Sequence, residues 1–153
     1  MKRIRQFVAA TMTLAAASGI ALLPALTSAP PAHAAVSCTG TSLILVPGGA
    51  GDSIRVPTVG NGTKNWHCEL GLGNTGTAVS RLQIALNAAA CNPPGARLTV
   101  DGIYGPNTQT AVRNLQRSDH ITADGIYGPV TAADMFWPLS TGSPDFPNCG
   151  FLP

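Results

Sequence analysis

Residues 101–108 read DGIYGPNT and residues 124–131 read DGIYGPVT, so one phrase occurs twice with a single letter changed. Each copy contains a proline, Pro106 or Pro129, whose fixed φ suits the first turn of a helix. Proline has no backbone N–H, but an N–H in the first turn has no partner within the helix, so nothing is lost. The preceding Asp-Gly pair is a turn former, because the aspartate bonds local amides and the glycine tolerates positive φ. The phrase therefore predicts a loop that reverses the chain and enters a helix, built twice.

Other positions of the phrase predict how the loops pack. The threonines, Thr108 and Thr131, are the third residues of the predicted helices, where they can bond back to the entry loop. The apolar positions should fill or rim the seam between the loops: Ile103, Tyr104, Ile126 and Tyr127. The period is 23 residues and there are two copies, which suits two pseudo-equivalent units rather than a solenoid.

A helical pattern also precedes the first copy. Residues 77–90, TAVSRLQIALNAAA, place Val79, Leu82 and Leu86 at helical spacing, and the prolines that follow Asn92 end the run. The second helix presents Val112 and Leu115 after Pro106. The third presents Phe136 and Trp137 after Pro129.

The Leu-Gln pair at 82–83 recurs at 115–116, so the repeat extends into the helices. The fold class predicted is mainly α: a small three-helix bundle with an N-terminal β-hairpin or extended segment, stapled by disulfides.

The first part of the chain, residues 1–34, has the order of a secretory signal peptide: basic residues, an apolar run and the small-residue triplet Ala32-His33-Ala34. A membrane anchor is the rival interpretation, but Pro24 breaks the run and no basic cluster follows it. A lipid-attachment site at Cys38 is a second rival, which the polar stretch before it disfavours.

The remaining chain is divided into three parts. Residues 35–67 contain two short apolar runs, 42–46 and 53–57, that predict a β-hairpin or a pair of edge strands. Residues 68–139 hold the helical patterns, and residues 140–153 form a proline-rich tail.

All four cysteines lie after the signal: Cys38, Cys68, Cys91 and Cys149. Export to an oxidising compartment predicts two disulfides. A metal site is disfavoured, because no two cysteines have the spacing of a zinc ligand pair. Of the three possible pairings, a bridge from Cys149 in the tail to Cys68 at the entrance of the helical part is favoured.

The charge of the exported chain is close to neutral. It keeps six basic residues against seven acids, because Lys2, Arg3 and Arg5 belong to the signal. A neutral surface without a basic stripe argues against nucleic acid as a partner.

The combined pattern resembles a known family. The spans TAVSRLQIALN, LTVDGIYGPNTQTAVRNLQ and ITADGIYGPVTAADM, within residues 68–137, resemble the peptidoglycan-binding domain of bacterial cell-wall enzymes. The resemblance implies a three-helix bundle that carries hydrolases or transpeptidases onto the wall. The chain departs from the family pattern at three positions. Leu115 stands where the family often has Phe, and Ala132 stands where it usually has an aromatic residue, which Trp137 could replace. His120 stands where the family commonly has Gly, and histidine is one of the residues that tolerate a left-handed backbone.

The resemblance implies peptidoglycan as the ligand. Its hydroxyls, amides and carboxylates call for aromatic faces, amides and an arginine. The residues expected to contact it are Tyr104, Asn107, Arg113, Gln116 and Tyr127. Each has an alternative role, since the tyrosines could equally plug the core and Arg113 could be a solvated helix face.

No constellation in the sequence predicts catalysis. His67 and Cys68 are adjacent, but neighbours seldom face each other and an exported cysteine is usually bridged. Asp101 and Asp124 could be the paired acids of a glycosidase, yet their position before glycine is explained by local bonding. The calcium-loop ligand pattern is missing. We expect no catalytic residue, metal ion or cofactor.

The sequence thus predicts a secreted, non-catalytic peptidoglycan-binding protein, extracellular or attached to the cell wall, monomeric and without stable membrane association. An alternative is a secreted interaction or inhibitor protein on the same scaffold, for which residues 35–67 would be a recognition surface. A further alternative is a partner that brings a separate hydrolase to the wall.

Overall fold

Two short antiparallel ribbons and three helices make up the part of the chain that the structure, a computed structural model, describes: residues 35–46, 51–92, 95–140 and 148–153. The predicted signal peptide, residues 1–34, lies outside these ranges. The elements in chain order are β1 (Gly40–Leu45), β2 (Ser53–Thr58), α1 (Thr77–Leu86), α2 (Pro106–Ser118), α3 (Pro129–Asp134), β3 (Trp137–Pro138) and β4 (Cys149–Gly150). No helix among the described residues is long and apolar enough to cross a membrane.

The N-terminal hairpin is confirmed. β1 pairs with β2 in antiparallel register, with Ile44 opposite Ile54 and Leu43 opposite Arg55. Burial alternates along β1 and at the start of β2, so that Ile44, Ile54 and Val56 are buried while Leu43 and Arg55 are exposed. At the end of β2, from residue 56 to residue 58, all three residues are buried. One face of the hairpin therefore belongs to the core and the other faces solvent.

The prediction of a mainly α fold is too strong. The three predicted helices are present, but only 27% of the described residues are helical. α1 packs more extensively against β2 than against α2. The hairpin is thus a layer of the fold rather than an extension of a helical bundle.

Two helices are shorter than predicted. α1 ends at Leu86 rather than Ala90, because the Asn87 side chain bonds the backbone of Leu98, accepting from its N–H and donating to its carbonyl, both at 2.8 Å. α3 ends at Asp134, before Trp137. That tryptophan enters β3, is fully buried and donates its Nε1–H to the Ala132 carbonyl at 3.0 Å, so it cannot replace an aromatic surface.

One hydrophobic core joins all these elements. It contains side chains from the hairpin, the three helices, both repeated loops and β3, among them Ile54, Val56, Leu82, Tyr104, Val112, Tyr127, Ala132 and Trp137. Residues 35–67 and the helical part are therefore packed into one unit.

All four cysteines are bridged, which confirms the predicted disulfides, but the favoured pairing is wrong. Cys38 is bonded to Cys68 and Cys91 to Cys149. Cys38 and Cys68 meet because their flanking backbones pair: the Cys38 N–H donates to the Glu69 carbonyl at 3.0 Å. Cys149 lies in β4 and ties the tail to the turn after α1.

Candidate functional site

The first repeated loop is held by Gln83 of α1. Its Nε2 donates to Asp101 Oδ1 at 2.8 Å and lies 3.1 Å from the Ile103 carbonyl and 3.2 Å from Thr108 Oγ1. Its Oε1 accepts the Gly102 N–H at 2.9 Å. The buried amide of Gln83 therefore makes hydrogen bonds to groups of the turn and to Thr108 at the start of α2.

Gln116 of α2 makes the same set of contacts with the second loop. Its Nε2 lies 2.9 Å from Asp124 Oδ1, 3.0 Å from the Ile126 carbonyl and 3.0 Å from Thr131 Oγ1. Its Oε1 accepts the Gly125 N–H at 2.8 Å. The repeat is thus a repeated hydrogen-bond unit, in which each helix holds the loop that follows it.

The Asp-Gly turns have the conformation that the sequence predicts. Gly102 has φ 72° and Gly125 has φ 75°. Each aspartate accepts the N–H two residues on, at 2.9 Å in the first copy and 2.8 Å in the second, and both threonines bond back to the loop. His120 is also left-handed, with φ 59°.

The carboxylate of Asp101 is part of this bracing. Its hydrogen bond from Gln83 and the backbone N–H of Ile103 hold its pKa below the usual range. A glycosidase acid needs the opposite shift, towards a raised pKa. Asp101 therefore stays ionised near neutral pH, so it braces the turn and has no proton to supply as a general acid.

The two tyrosines lie in the core, so the prediction that they contact a ligand needs correction. Tyr104 is 1% exposed and donates its hydroxyl to the Gly125 carbonyl at 2.9 Å. Tyr127 is fully buried, packs edge-on to Trp137, and its hydroxyl has no hydrogen-bond partner among the described residues. Burial raises the pKa of both phenols. Each ring fills the seam between loops and offers no face to a ligand.

The other three predicted ligand residues are scattered. Gln116 is 2% exposed and committed to its loop, which corrects its predicted role as well. Arg113 is half-buried, with its Nε donating to the Asp124 carbonyl at 3.3 Å. Asn107 alone of the five is exposed. The five side chains therefore do not form one surface.

Asn107 does lie in a groove, which runs between α2 and the segment leading to the first loop. We call it the α2 groove; its volume is about 250 Å³. It is lined by Ala96, Arg97, Leu98, Thr99, Asn107, Thr110, Ala111 and Asn114. A neighbouring cavity of about 260 Å³ shares Ala96, Leu98, Ala111 and Asn114 with it, so the recess continues along the helix.

The polar lining of the α2 groove suits a ligand rich in hydroxyls, amides and carboxylates. Asn107 and Asn114 each carry an amide that can both donate and accept, and Arg97 supplies a planar cation. Asn107, Thr110 and Asn114 follow helical spacing on α2, a signal that was available in the sequence. Arg97 and Thr99 join them only through the fold.

The other candidate reactive groups are engaged elsewhere. Cys68 is bonded to Cys38, so His67 has no thiol beside it; its ring stacks on Trp66 with centroids 4.1 Å apart. Within the described ranges, no group of three or more His, Cys, Asp or Glu side chains could hold a metal ion.

Comparison with known proteins finds a family match for one segment. Residues 75–135 match the model of peptidoglycan-binding domain 1, which covers less than half of the chain. The matched segment contains α1, α2, α3, both loops and the α2 groove. No curated protein matches the chain.

Two solved structures are similar over part of the chain. One is the crystal structure of a Burkholderia AP3 phage endolysin, 46% identical, covering 42% of this chain and 23% of the endolysin, with a TM-score of 0.38. The other is the SleB N-terminal domain, 29% identical, covering 42% of this chain and 84% of that domain, with a TM-score of 0.36. The similarity thus spans under a quarter of the endolysin's length.

Proposed function

We propose that this protein is a secreted, non-catalytic protein that binds cell-wall peptidoglycan through the α2 groove, because residues 75–135 match the model of the peptidoglycan-binding family. The observation that carries the proposal is that this groove is an exposed polar recess within the matched segment. The predicted tyrosine surface is replaced by the outer face of α2 and the segment that leads to the first loop.

The chemistry of the groove matches the polymer. Peptidoglycan presents sugar hydroxyls, acetamido groups, peptide amides and free carboxylates. The amides of Asn107 and Asn114 can bond to the acetamido and peptide groups, and Arg97 can pair with a carboxylate. The apolar floor, which includes Leu98 and Ala111, can pack against the sugar rings or alanine methyls.

The state of the candidate reactive groups supports a non-catalytic role. The Cys68 thiol is consumed in a disulfide, and Asp101 and Asp124 each bond a glutamine amide and a backbone N–H. A residue bound in this way is positioned to hold a loop, not to attack a glycosidic or peptide bond.

The two disulfides support the proposed location, since such bridges persist in an oxidising compartment outside the cytosol. The signal-like order of residues 1–34 points the same way. We expect the protein to act as a monomer, either alone or beside a separate wall hydrolase.

Sedimentation with purified peptidoglycan tests the proposal. The oxidised protein from residue 35 to residue 153 is compared with Asn107→Ala/Asn114→Ala, two exposed changes that leave the loop bonds intact. Thr122→Ala, also exposed but outside the α2 groove, is the matched control. Wild type and the control should pellet, and the double variant should bind about ten-fold more weakly.

Any of three results would contradict a part of the proposal. If folded wild type stays in the supernatant, peptidoglycan is not the ligand, and a protein partner becomes the better candidate. If the double variant pellets as wild type does, the α2 groove is not the contact surface. Release of soluble fragments by wild type would contradict the non-catalytic assignment.

A further inference from the structure

A second polar groove lies on the solvent face of the β1–β2 hairpin, outside the segment that matches the family. We call it the hairpin groove. Its volume is about 460 Å³, and it is lined by Thr41, Ser42, Leu43, Arg55, Asn61, Gly62 and Lys64. Because the hairpin belongs to the same core as the helices, this groove has a fixed place on the protein.

The charge of the hairpin groove has one sign. Arg55 and Lys64 are its only ionised lining residues, both are exposed, and no carboxylate lines it. The exported chain has six basic residues in all and is close to neutral. A pair of cations in one recess is therefore a local concentration of positive charge on an otherwise balanced protein.

Hydrogen bonds hold the loop that forms the groove's wall. The Asn61 side-chain oxygen accepts the Thr41 N–H at 3.0 Å, and the Gly62 N–H donates to the Thr41 carbonyl at 3.3 Å. Within the loop, Thr63 Oγ1 donates to the Gly60 carbonyl at 2.9 Å. The loop also lies close to β1, because a Cβ added to Gly40 would clash with the backbone nitrogen of Asn61. The groove is therefore formed before any ligand arrives, which lowers the cost of binding.

A third cation lies under the same strand. The Arg81 Nε–H donates to the Arg55 carbonyl at 2.6 Å, and its Nη2 donates to the Pro138 carbonyl at 3.3 Å. Burial, and then the positive charge of Arg55, lower the pKa of Arg81 to about 10. The two guanidinium groups thus repel each other, and a bound anion would offset that repulsion.

We propose that the hairpin groove binds an oxyanion, a carboxylate or phosphate group, carried by an anionic polymer of the cell wall. The guanidinium of Arg55 can donate two parallel hydrogen bonds to two oxygens of the anion. Lys64 provides a second positive charge, and Thr41 provides a hydroxyl next to these two groups. The wall as the source of the anion rests on the proposed function. Together with the α2 groove, this surface holds one polymer network at two places, which strengthens attachment through effective concentration.

The test uses the oxidised protein from residue 35 to residue 153 and two wall preparations. One keeps its phosphodiester polymers and the other has been stripped of them with hydrofluoric acid. The variant Arg55→Gln/Lys64→Gln is compared with Thr122→Asp/Ala133→Glu, which changes the net charge equally at exposed sites away from the hairpin groove. Binding is compared at 0.15 M salt, where the screening length is about 8 Å and long-range effects are limited, and is then repeated over a series of salt concentrations.

We expect the hairpin variant to bind intact walls about ten-fold more weakly, with a flatter salt dependence, and the control to bind as wild type does. A loss confined to intact walls identifies phosphate as the bound group, and an equal loss on stripped walls identifies the peptidoglycan carboxylates. Wild-type binding by the hairpin variant on both preparations would overturn the proposal.

A second measurement separates this proposal from the proposed function. Soluble polyphosphate and poly-glutamate are titrated separately into isotopically labelled wild type, and amide resonances are followed by NMR. Shifts at Arg55 and Asn61 with either polymer support the hairpin groove, even if the Asn107→Ala/Asn114→Ala variant shows that the α2 groove does not bind the wall. The absence of shifts with both polymers overturns it.

Discussion

Gln116 Oε1 lies 2.8 Å from the Gly125 nitrogen, and this bond joins α2 to the loop that starts the next helix. Gln83 makes the equivalent bond to Gly102 at 2.9 Å. Each glutamine follows a buried core leucine directly. The packing of that leucine fixes the rotation of the helix, and so directs the glutamine side chain towards the loop. The repeated phrase is therefore only half of a unit, and the other half is the Leu-Gln pair of the preceding helix.

Removing this amide should destabilise the protein strongly. In Gln116→Ala, the Gly125 N–H and the Asp124 carboxylate lose a partner, and the free energy of unfolding should fall by about 2–3 kcal/mol. Urea unfolding measures the change. Arg117→Ala, an exposed neighbour on the same helix, should change stability by less than about 0.5 kcal/mol. Equal effects of the two substitutions would show that the glutamine does not hold the loop.

The two tyrosines should respond differently to loss of the hydroxyl. Tyr104→Phe leaves the Gly125 carbonyl without its hydroxyl donor and should cost about 1 kcal/mol. Tyr127→Phe removes a buried hydroxyl that lacks a partner among the described residues, and should be neutral or stabilising. The difference in melting temperature between the two variants is the readout. A larger loss for Tyr127→Phe would mean that its hydroxyl is bonded in solution.

Gly125 should resist substitution more than a glycine with similar φ and open surroundings. A Cβ at Gly125 would lie 2.8 Å from both Arg113 Nε and Gln109 Cγ, whereas one at Gly73 meets nothing within 4 Å. Gly73→Ala should therefore cost only backbone strain, about 1 kcal/mol, and Gly125→Ala should cost about 1 kcal/mol more. Chemical unfolding of both variants measures the two losses in the free energy of unfolding. Equal losses would show that the nearby Arg113 and Gln109 side chains add no cost at Gly125.

Alkaline pH should unfold the protein through its tyrosines. Tyr104 and Tyr127 are the only tyrosines in the chain, and burial raises the pKa of both above the ordinary value of about 10. Folding therefore favours the neutral phenols, so this contribution to stability is complete below about pH 10 and falls as the pH rises above it.

The measurement is phenolate absorbance near 295 nm, followed together with circular dichroism. Phenolate should appear only as the helical signal is lost, above about pH 10. A tyrosine that ionises near pH 10 while the helical signal is unchanged would show that at least one ring is accessible to solvent in the folded protein.

Several local features could be predicted from the sequence because neighbouring residues determine them. Pro106 and Pro129 begin their helices, Gly102 and Gly125 have positive φ, and the threonines bond back to their own loops. The resemblance to the peptidoglycan-binding family also came from this local pattern.

The predictions that failed concern contacts between distant residues. Whether Tyr104 faces a ligand or the core depends on the Gly125 loop, which lies 21 residues away. The pairing of Cys91 with Cys149 depends on β3 and β4 meeting, and α1 ends early because Asn87 bonds Leu98. Spacing along the chain carries none of this information.

The sequence by itself determined the repeated turn and the helix starts, because backbone preferences and short-range hydrogen bonds act within a few residues. The same local pattern carries the family match of residues 75–135. Only the tertiary structure decided which side chains reach solvent. The phrase places its tyrosines inward because the two loops and α2 close over them, and that closure leaves Arg97, Asn107 and Asn114 on the outside. Burial is a property of packed elements, so the candidate site emerged only once the fold was known.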